Sequence, residues 1–133
     1  EEDELQERLY SRTQVLLAEK IAKYLYEHMD DRITLEKLSE VFHVSVAHIK
    51  NTFKSVYDVP VGAYVRTIKM ESAAYMLEYT DKTILEVAME YGYDNGSKFA
   101  AAFRSVKGVN PAQYRNEVHR KSKTIQTEPF SVF

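Results

Sequence analysis

Apolar positions along this chain recur at helical spacing almost from end to end, and nowhere alternate over a useful length. Leu17, Ile21, Tyr24, Leu25 and His28 fall at i, i+4, i+7, i+8 and i+11, one face of a helix. The Asp30-Asp31 pair marks its end. Leu35, Leu38, Val41 and Phe42 resume the period behind Thr34, a weak N-cap with Lys37 three residues on. Ser45 predicts the start of the next helix, because its hydroxyl can accept an orphan backbone N–H. That helix turns Ile49, Phe53 and Val56 inward. Pro60 suits the first turn of a further helix, where a missing N–H costs nothing. This stretch runs to about Tyr79, with Tyr64, Val65, Ile68, Ala73, Met76 and Leu77 as its apolar side. At the α-helical rise it would span roughly 27 Å. The expected fold class is all-α.

The pattern then repeats. Residues 34–64 answer to residues 83–114: Thr34, Leu35 and Leu38 match Thr83, Ile84 and Val87. One extra residue enters the second copy at its turn. After it, Ile49, Phe53, Ser55, Val56, Val59 and Tyr64 match Phe99, Phe103, Ser105, Val106, Val109 and Tyr114. The connection inside each copy is short, about Phe42 to Ser45 in the first, and so short a turn makes the flanking helices cross steeply. Gly92 supplies the positive-φ residue expected past a helix end in the second copy, and Asn95 can cap the next helix. Each copy therefore predicts a helix–turn–helix. The second helix of the first copy turns outward a polar strip of Ala47, His48, Lys50, Asn51, Lys54 and Ser55. Such side chains can reach base edges and phosphates from a helix seated in a major groove.

Composition narrows the alternatives. The 133 residues fit one domain or two small lobes, and 44% hydrophobic content suffices for a core. With no cysteine, disulfides, thiolate catalysis and Cys-ligated zinc are excluded. No apolar run approaches the roughly 18–20 residues of a membrane span. The chain opens EEDELQER, without a signal peptide and without Met, which suggests a soluble, cytoplasmic piece of a longer protein. The net charge of −2 is not the basic balance usual for a nucleic-acid binder. The imbalance is local, however. Residues 1–30 carry four cationic and eight acidic side chains, whereas residues 31–121 carry thirteen and eleven. An acidic arm masks a mildly basic body. His28, His43, His48 and His119 share no metal-ligand spacing, and no cofactor is expected. Glu86 and Glu90 stand at i, i+4 with nothing nearby to suggest acid–base work, so an enzyme is not expected.

The runs LEKLSEVFHVSVAHIKNTFK, YVRTIKMESAAYML, ILEVAMEYGYDNGSKFAAAFR and KGVNPAQYR together resemble the DNA-binding domain of AraC/XylS-type transcription regulators. The closing Gly108, Pro111, Tyr114 and Arg115 are a specific hallmark of that resemblance, which covers about Val15 to Asn116. It implies two homeodomain-like, three-helical lobes joined by a long linker helix. Their recognition helices would enter successive major-groove segments of double-stranded DNA, about 34 Å apart. The implied organisation is an acidic helical arm at 1–14, a first lobe at 15–60, the linker helix at 61–79, a second lobe at 80–116 and a polar, frayed tail at 117–133. Implied partners beyond DNA are RNA polymerase and a missing N-terminal sensor or receiver domain, with a homodimer as one option and no membrane. Leu5, Leu9 and Leu16 hint at a stripe on the arm, and Phe130 and Phe133 at docking of the tail.

Carried over by the resemblance, the base-reading positions fall on Ala47, Lys50 and Asn51, with His48 beside them, in the first lobe. In the second they fall on Gly96, Ser97, Ala100 and Ala101. The first set can donate and accept in the groove, whereas the second has one hydroxyl and otherwise methyls or nothing. The first lobe is therefore expected to carry most of the base readout. Phosphate anchors are expected at Lys54, Arg66, Lys69, Lys98, Arg104 and Lys107, with the helix N-terminus at Ser45. Departures from the family pattern are Ser39 and His43, where Ala and Gly are usual, and Lys69 in place of Arg. The alternative function is a helical interaction module that has lost specific DNA reading and contacts RNA polymerase or another regulator. The low charge and the alanine-rich second helix favour it.

Overall fold

The computed structural model describes residues 2–127, and the side chains of residues 12–122. The described residues form helices α1 (Glu2–Glu27), α2 (Leu35–Phe42), α3 (Val46–Tyr57), α4 (Val61–Tyr79), α5 (Ile84–Glu90), α6 (Gly96–Lys107) and α7 (Pro111–Thr127). They divide into two compact units, Glu1–Ile68 and Lys69–Phe133. Helix α4 spans Val61–Tyr79. The arm at 1–14 and the start of the first lobe share one helix, because α1 runs to Glu27. One expectation needs correction. The polar stretch after 116 is not frayed from its start: α7 continues to Thr127, since Arg, Glu, Lys and Gln are good helix formers even without an apolar face. Phe130 and Phe133 lie outside the described residues, as do the side chains of Leu5 and Leu9. Leu16 is exposed.

In the first unit α1 packs against α3 and α2 against α3. Ile21, Ala22 and Leu25 meet Leu38, Ile49 and Phe53 in a buried core. Around it stand half-buried apolar groups, among them Tyr57, Tyr64, Val65 and Ile68. Burial raises the Tyr57 phenol above its ordinary value, and the neighbouring Tyr64 and Glu19 add to the shift. His28 closes α1: its ring stacks on Tyr24 at 4.0 Å and its Nδ1 lies 2.9 Å from the Tyr24 carbonyl.

The second unit buries Met70, Ala73, Ala74 and Leu77 of α4 together with Val87, Ala88, Tyr91, Phe99 and Phe103. Met70 is absent from the apolar side read off the sequence. The reason is that α4 carries two stripes: Tyr64, Val65 and Ile68 belong to the first unit, and Met70, Ala73, Ala74 and Leu77 to the second. A single helical wheel averages them together. One contact recurs in both units. Phe53 meets Tyr64 edge-on at 5.2 Å and 75°, and Phe103 meets Tyr114 at 5.4 Å and 71°. The recurrence at matching repeat positions shows that the duplicated residues are duplicated packing.

The two turns are built alike from different residues. His43 takes the left-handed conformation at φ 55°, and Gly92 takes it at φ 87° in the matching place. The Val44 N–H reaches the Ser39 carbonyl at 3.3 Å, and the Tyr93 N–H reaches that of Ala88 at 3.0 Å. This is the chain reversal that satisfies orphan carbonyls at a helix end. His43 carries a Cβ penalty that Gly92 avoids, on the order of 1–2 kcal/mol. A second departure from the family pattern compensates: the Ser39 hydroxyl donates to the Val44 carbonyl at 2.5 Å, a tie that alanine cannot make. His43→Gly is expected to raise stability by roughly 0.5–1 kcal/mol, the strain relieved less the extra entropy of glycine. Ser39→Ala should lower it by about 1 kcal/mol. Urea unfolding midpoints for the two variants check both signs.

Candidate nucleic-acid interface

Helices α3 and α6, expected to be the recognition helices, are each started by a side-chain cap and oriented by a buried face. The Ser45 hydroxyl accepts from the His48 N–H at 3.1 Å, and Asn95 Oδ1 accepts from the Lys98 N–H at 2.8 Å. Behind these caps α3 buries Ile49, Thr52 and Phe53, and α6 buries Phe99 and Phe103. With those residues turned inward, the helical period leaves the opposite face outward. Ala47, His48, Lys50, Asn51, Lys54 and Ser55 are all exposed, as the sequence predicts. In α6, Ser97, Lys98, Ala101, Arg104 and Ser105 are exposed. Gly96 and Ala100 are half-buried, so the four positions carried over to the second lobe do not form one outward set. The methyl of Ala100 and the bare backbone of Gly96 lie closer to the protein than Lys50 does.

Charge on these helices has one sign. Neither α3 nor α6 contains a carboxylate. Lys50, Lys54, Lys98 and Arg104 make no ion pair among the described residues. Two local cationic faces thus exist in a chain of net charge −2. Lys107 is different. Its ammonium lies 3.0 Å from the Glu71 carboxylate and 5.7 Å from the Tyr114 ring centroid, so it clamps α6 within the second unit. Arg66 is exposed on the first-unit part of α4, and Lys69 is half-buried on the second-unit part. At the start of α3, Ser45 serves the His48 amide, which leaves the Val46 and Ala47 N–H groups at the positive end of the helix dipole.

Glu86 and Glu90 have structural duties. Thr83 Oγ1 accepts from the Glu86 N–H and donates to the Glu86 carboxylate, both at 3.1 Å, closing a cap on α5. Glu90 accepts from Lys82 at 2.8 Å and holds that ammonium above its ordinary pKa. Among the described residues no group of three His, Asp or Glu could hold a metal. No helix among them is long and apolar enough to cross a membrane.

One positioning residue was visible in the sequence only as a motif letter. The Arg115 guanidinium donates to the Leu77 carbonyl at 2.9 Å and to the Thr80 carbonyl at 3.3 Å. These are orphan acceptors at the C-terminus of α4, where a cation also complements the dipole. Arg115 therefore ties α7 to the end of α4. Nothing in local periodicity announces a partner 35 or more positions away.

Comparison with known proteins agrees with this geometry. A family model described as a helix-turn-helix domain matches residues 38–117. The HTH-type transcriptional activator AarP of Providencia stuartii is 23% identical over 108 residues, which cover 81% of this chain and 80% of the relative. The right origin-binding protein of Escherichia coli K12 is 30% identical over 92 residues, which cover 69% of this chain and 32% of the relative. The chain thus spans about a third of that relative's length. Among solved structures, the C-terminal domain of AraT, a response regulator from Geobacillus stearothermophilus, superposes with a TM-score of 0.71 at 30% identity. That match covers 76% of this chain and 84% of AraT's domain.

Arg115→Ala is expected to cost about 2 kcal/mol, because its hydrogen bonds are charge-assisted and partly buried. Arg115→Lys should recover less than half of this, since one ammonium cannot reproduce the planar fork. Chemical denaturation of the three proteins side by side measures both losses, and near-equal stability of wild type and Arg115→Ala would contradict the assignment.

Proposed function

Because the chain belongs to the AraC/XylS helix-turn-helix family, we propose that it grips duplex DNA sequence-specifically with α3 and α6, as the DNA-binding domain of a transcription regulator. One observation carries this reading. Two helices at matching repeat positions bury an aromatic face and turn outward a strip that holds cations and no carboxylate. A merely solvated face in a chain with more acids than bases has no reason to exclude acids twice. The interaction-module alternative has no comparable support.

The two grips are unequal in this proposal. Lys50 favours guanine O6 and N7, and Asn51 pairs with adenine N6 and N7, each worth about 1–3 kcal/mol of discrimination. Their counterparts Ala100 and Ala101 offer methyls, one of them half-buried. The second lobe then holds mainly the backbone, through Lys98 and Arg104, with Ala101 and Ser97 against base edges. Lys54, Arg66 and Lys69 and the α3 N-terminus at Ser45 anchor phosphates for the first lobe and the linker helix. Lys107 drops out of the anchoring set, because Glu71 already neutralises it. The longer protein would add an N-terminal sensor or receiver domain, contact RNA polymerase and act in the cytoplasm, as a monomer or homodimer. Similarity to the C-terminal domain of a response regulator supports a receiver. No enzymatic role is proposed.

In a binding-site selection, the half-site under α3 should hold more information than that under α6. Lys50→Ala should flatten the first, and Ala101→Arg should add a preferred base to the second. Equal information in both half-sites of the wild type would overturn the asymmetry. In a salt titration, about five phosphate contacts should give a log–log slope of about −4.5. Lys54→Gln should reduce it by about 1, and Lys107→Gln should leave it unchanged.

A further inference from the structure

A cleft of about 620 Å³ opens in the first unit beside the recognition helix. Its apolar lining comes from Ile33, Leu35, Val61 and Val65. Its polar lining comes from α3, where Lys50 and Lys54 stand one turn apart with Asn51 beside them. Both ammonium groups are exposed and neither has an ion-pair partner among the described residues. No carboxylate lines the cleft.

The start of α4 adds to this polarity. Pro60 stands at the cap position and gives its carbonyl to the Tyr64 N–H at 3.1 Å, but it has no side-chain acceptor for the amides after it. The first turn of α4 contains no acid. Every other helix start with an assigned cap uses Thr, Ser or Asn. The N–H groups of Val61 and Gly62, which like the first amides of any helix have no intrahelical acceptor, lie at a positive helix end on the cleft wall. Gly62 lines the same wall, and a Cβ added there would meet nothing within 4 Å, so a larger side chain has room beside the cleft.

Two unpaired ammonium groups and an uncapped helix start thus converge on an apolar lining, and we propose that this cleft binds a small amphipathic carboxylate that competes with DNA for Lys50 and Asn51. A bare anion would leave the apolar walls wet, and a neutral apolar molecule would leave the cations without a partner. A volume of this size holds an anion with a one- or two-ring body. The competition rests on the DNA-binding function proposed above, whereas occupancy of the cleft does not.

The test therefore has two separable arms. In the first, the 133-residue chain is titrated with 2-naphthoate, 2-naphthamide and inorganic phosphate while backbone amide signals are followed. Saturable shifts at Lys50, Lys54 and Gly62 are expected with naphthoate. Naphthamide should bind roughly tenfold more weakly, the loss expected of one charge-assisted contact. Lys54→Gln should weaken naphthoate by about fivefold and Gly62→Leu by more than about tenfold, the latter by filling the cleft. Gly62→Ala, with unchanged thermal melting, controls for folding. Equal binding of naphthoate and naphthamide, displacement by equimolar phosphate, or full affinity in Gly62→Leu would each overturn the site. In the second arm, naphthoate should weaken binding to the selected duplex in wild type but not in Gly62→Leu. Undiminished DNA binding at saturating naphthoate would overturn the competition. Failure of wild type to bind any duplex would instead defeat the DNA-binding function and the competition with it, while the first arm still decides the cleft.

Discussion

The edge-on contact of a phenylalanine with a tyrosine at matching repeat positions, Phe53 with Tyr64 and Phe103 with Tyr114, is the constraint on which the rest depends. Phe53 sits on the inner face of α3 and Tyr64 on the first turns of α4; Phe103 and Tyr114 stand in the same relation on α6 and α7. Rings of this size dominate the energy of a small core, and the edge-to-face arrangement narrows their mutual angle. Fixing Phe53 fixes the rotation of α3 about its own axis. The position of the outward strip is then settled without further choice, because a helix has only one opposite face.

The duplicated turns show that backbone geometry, not side-chain identity, was preserved. His43 and Gly92 adopt the same left-handed conformation, and the same backbone hydrogen bond comes after it in both units. A glycine reaches that conformation without strain, whereas a histidine needs help. Ser39 provides it with a hydroxyl where the second unit has the methyl of Ala88. Two departures from the family pattern, unrelated by position alone, are one compensated change.

Electrostatics in this chain is a matter of placement. Its acidic surplus lies in the first thirty residues, and both recognition helices are free of carboxylates. At physiological ionic strength the field of an exposed charge decays over about 8 Å. The local field at α3 and α6 therefore follows Lys50, Lys54, Lys98 and Arg104 rather than net charge. The same absence of acids, next to an uncapped start of α4, gives the first unit its cationic cleft.

The sequence by itself determined most of the helices, the caps of α2, α3 and α6 and the outward side of α3. Those properties depend on residues at most a few positions apart, and Thr34, Ser45 and Asn95 cap where local chemistry predicts. Only the tertiary structure decided what lay beyond that range. It split the apolar side of α4 into two stripes serving two cores. It set Ala100 and Gly96 partly under cover while leaving Lys50 exposed. It took Lys107 out of the free cations through Glu71, and it gave Arg115 to the carbonyls of Leu77 and Thr80. These assignments join residues some 35 positions apart. Helical periodicity carries no information about which distant element a side chain will meet.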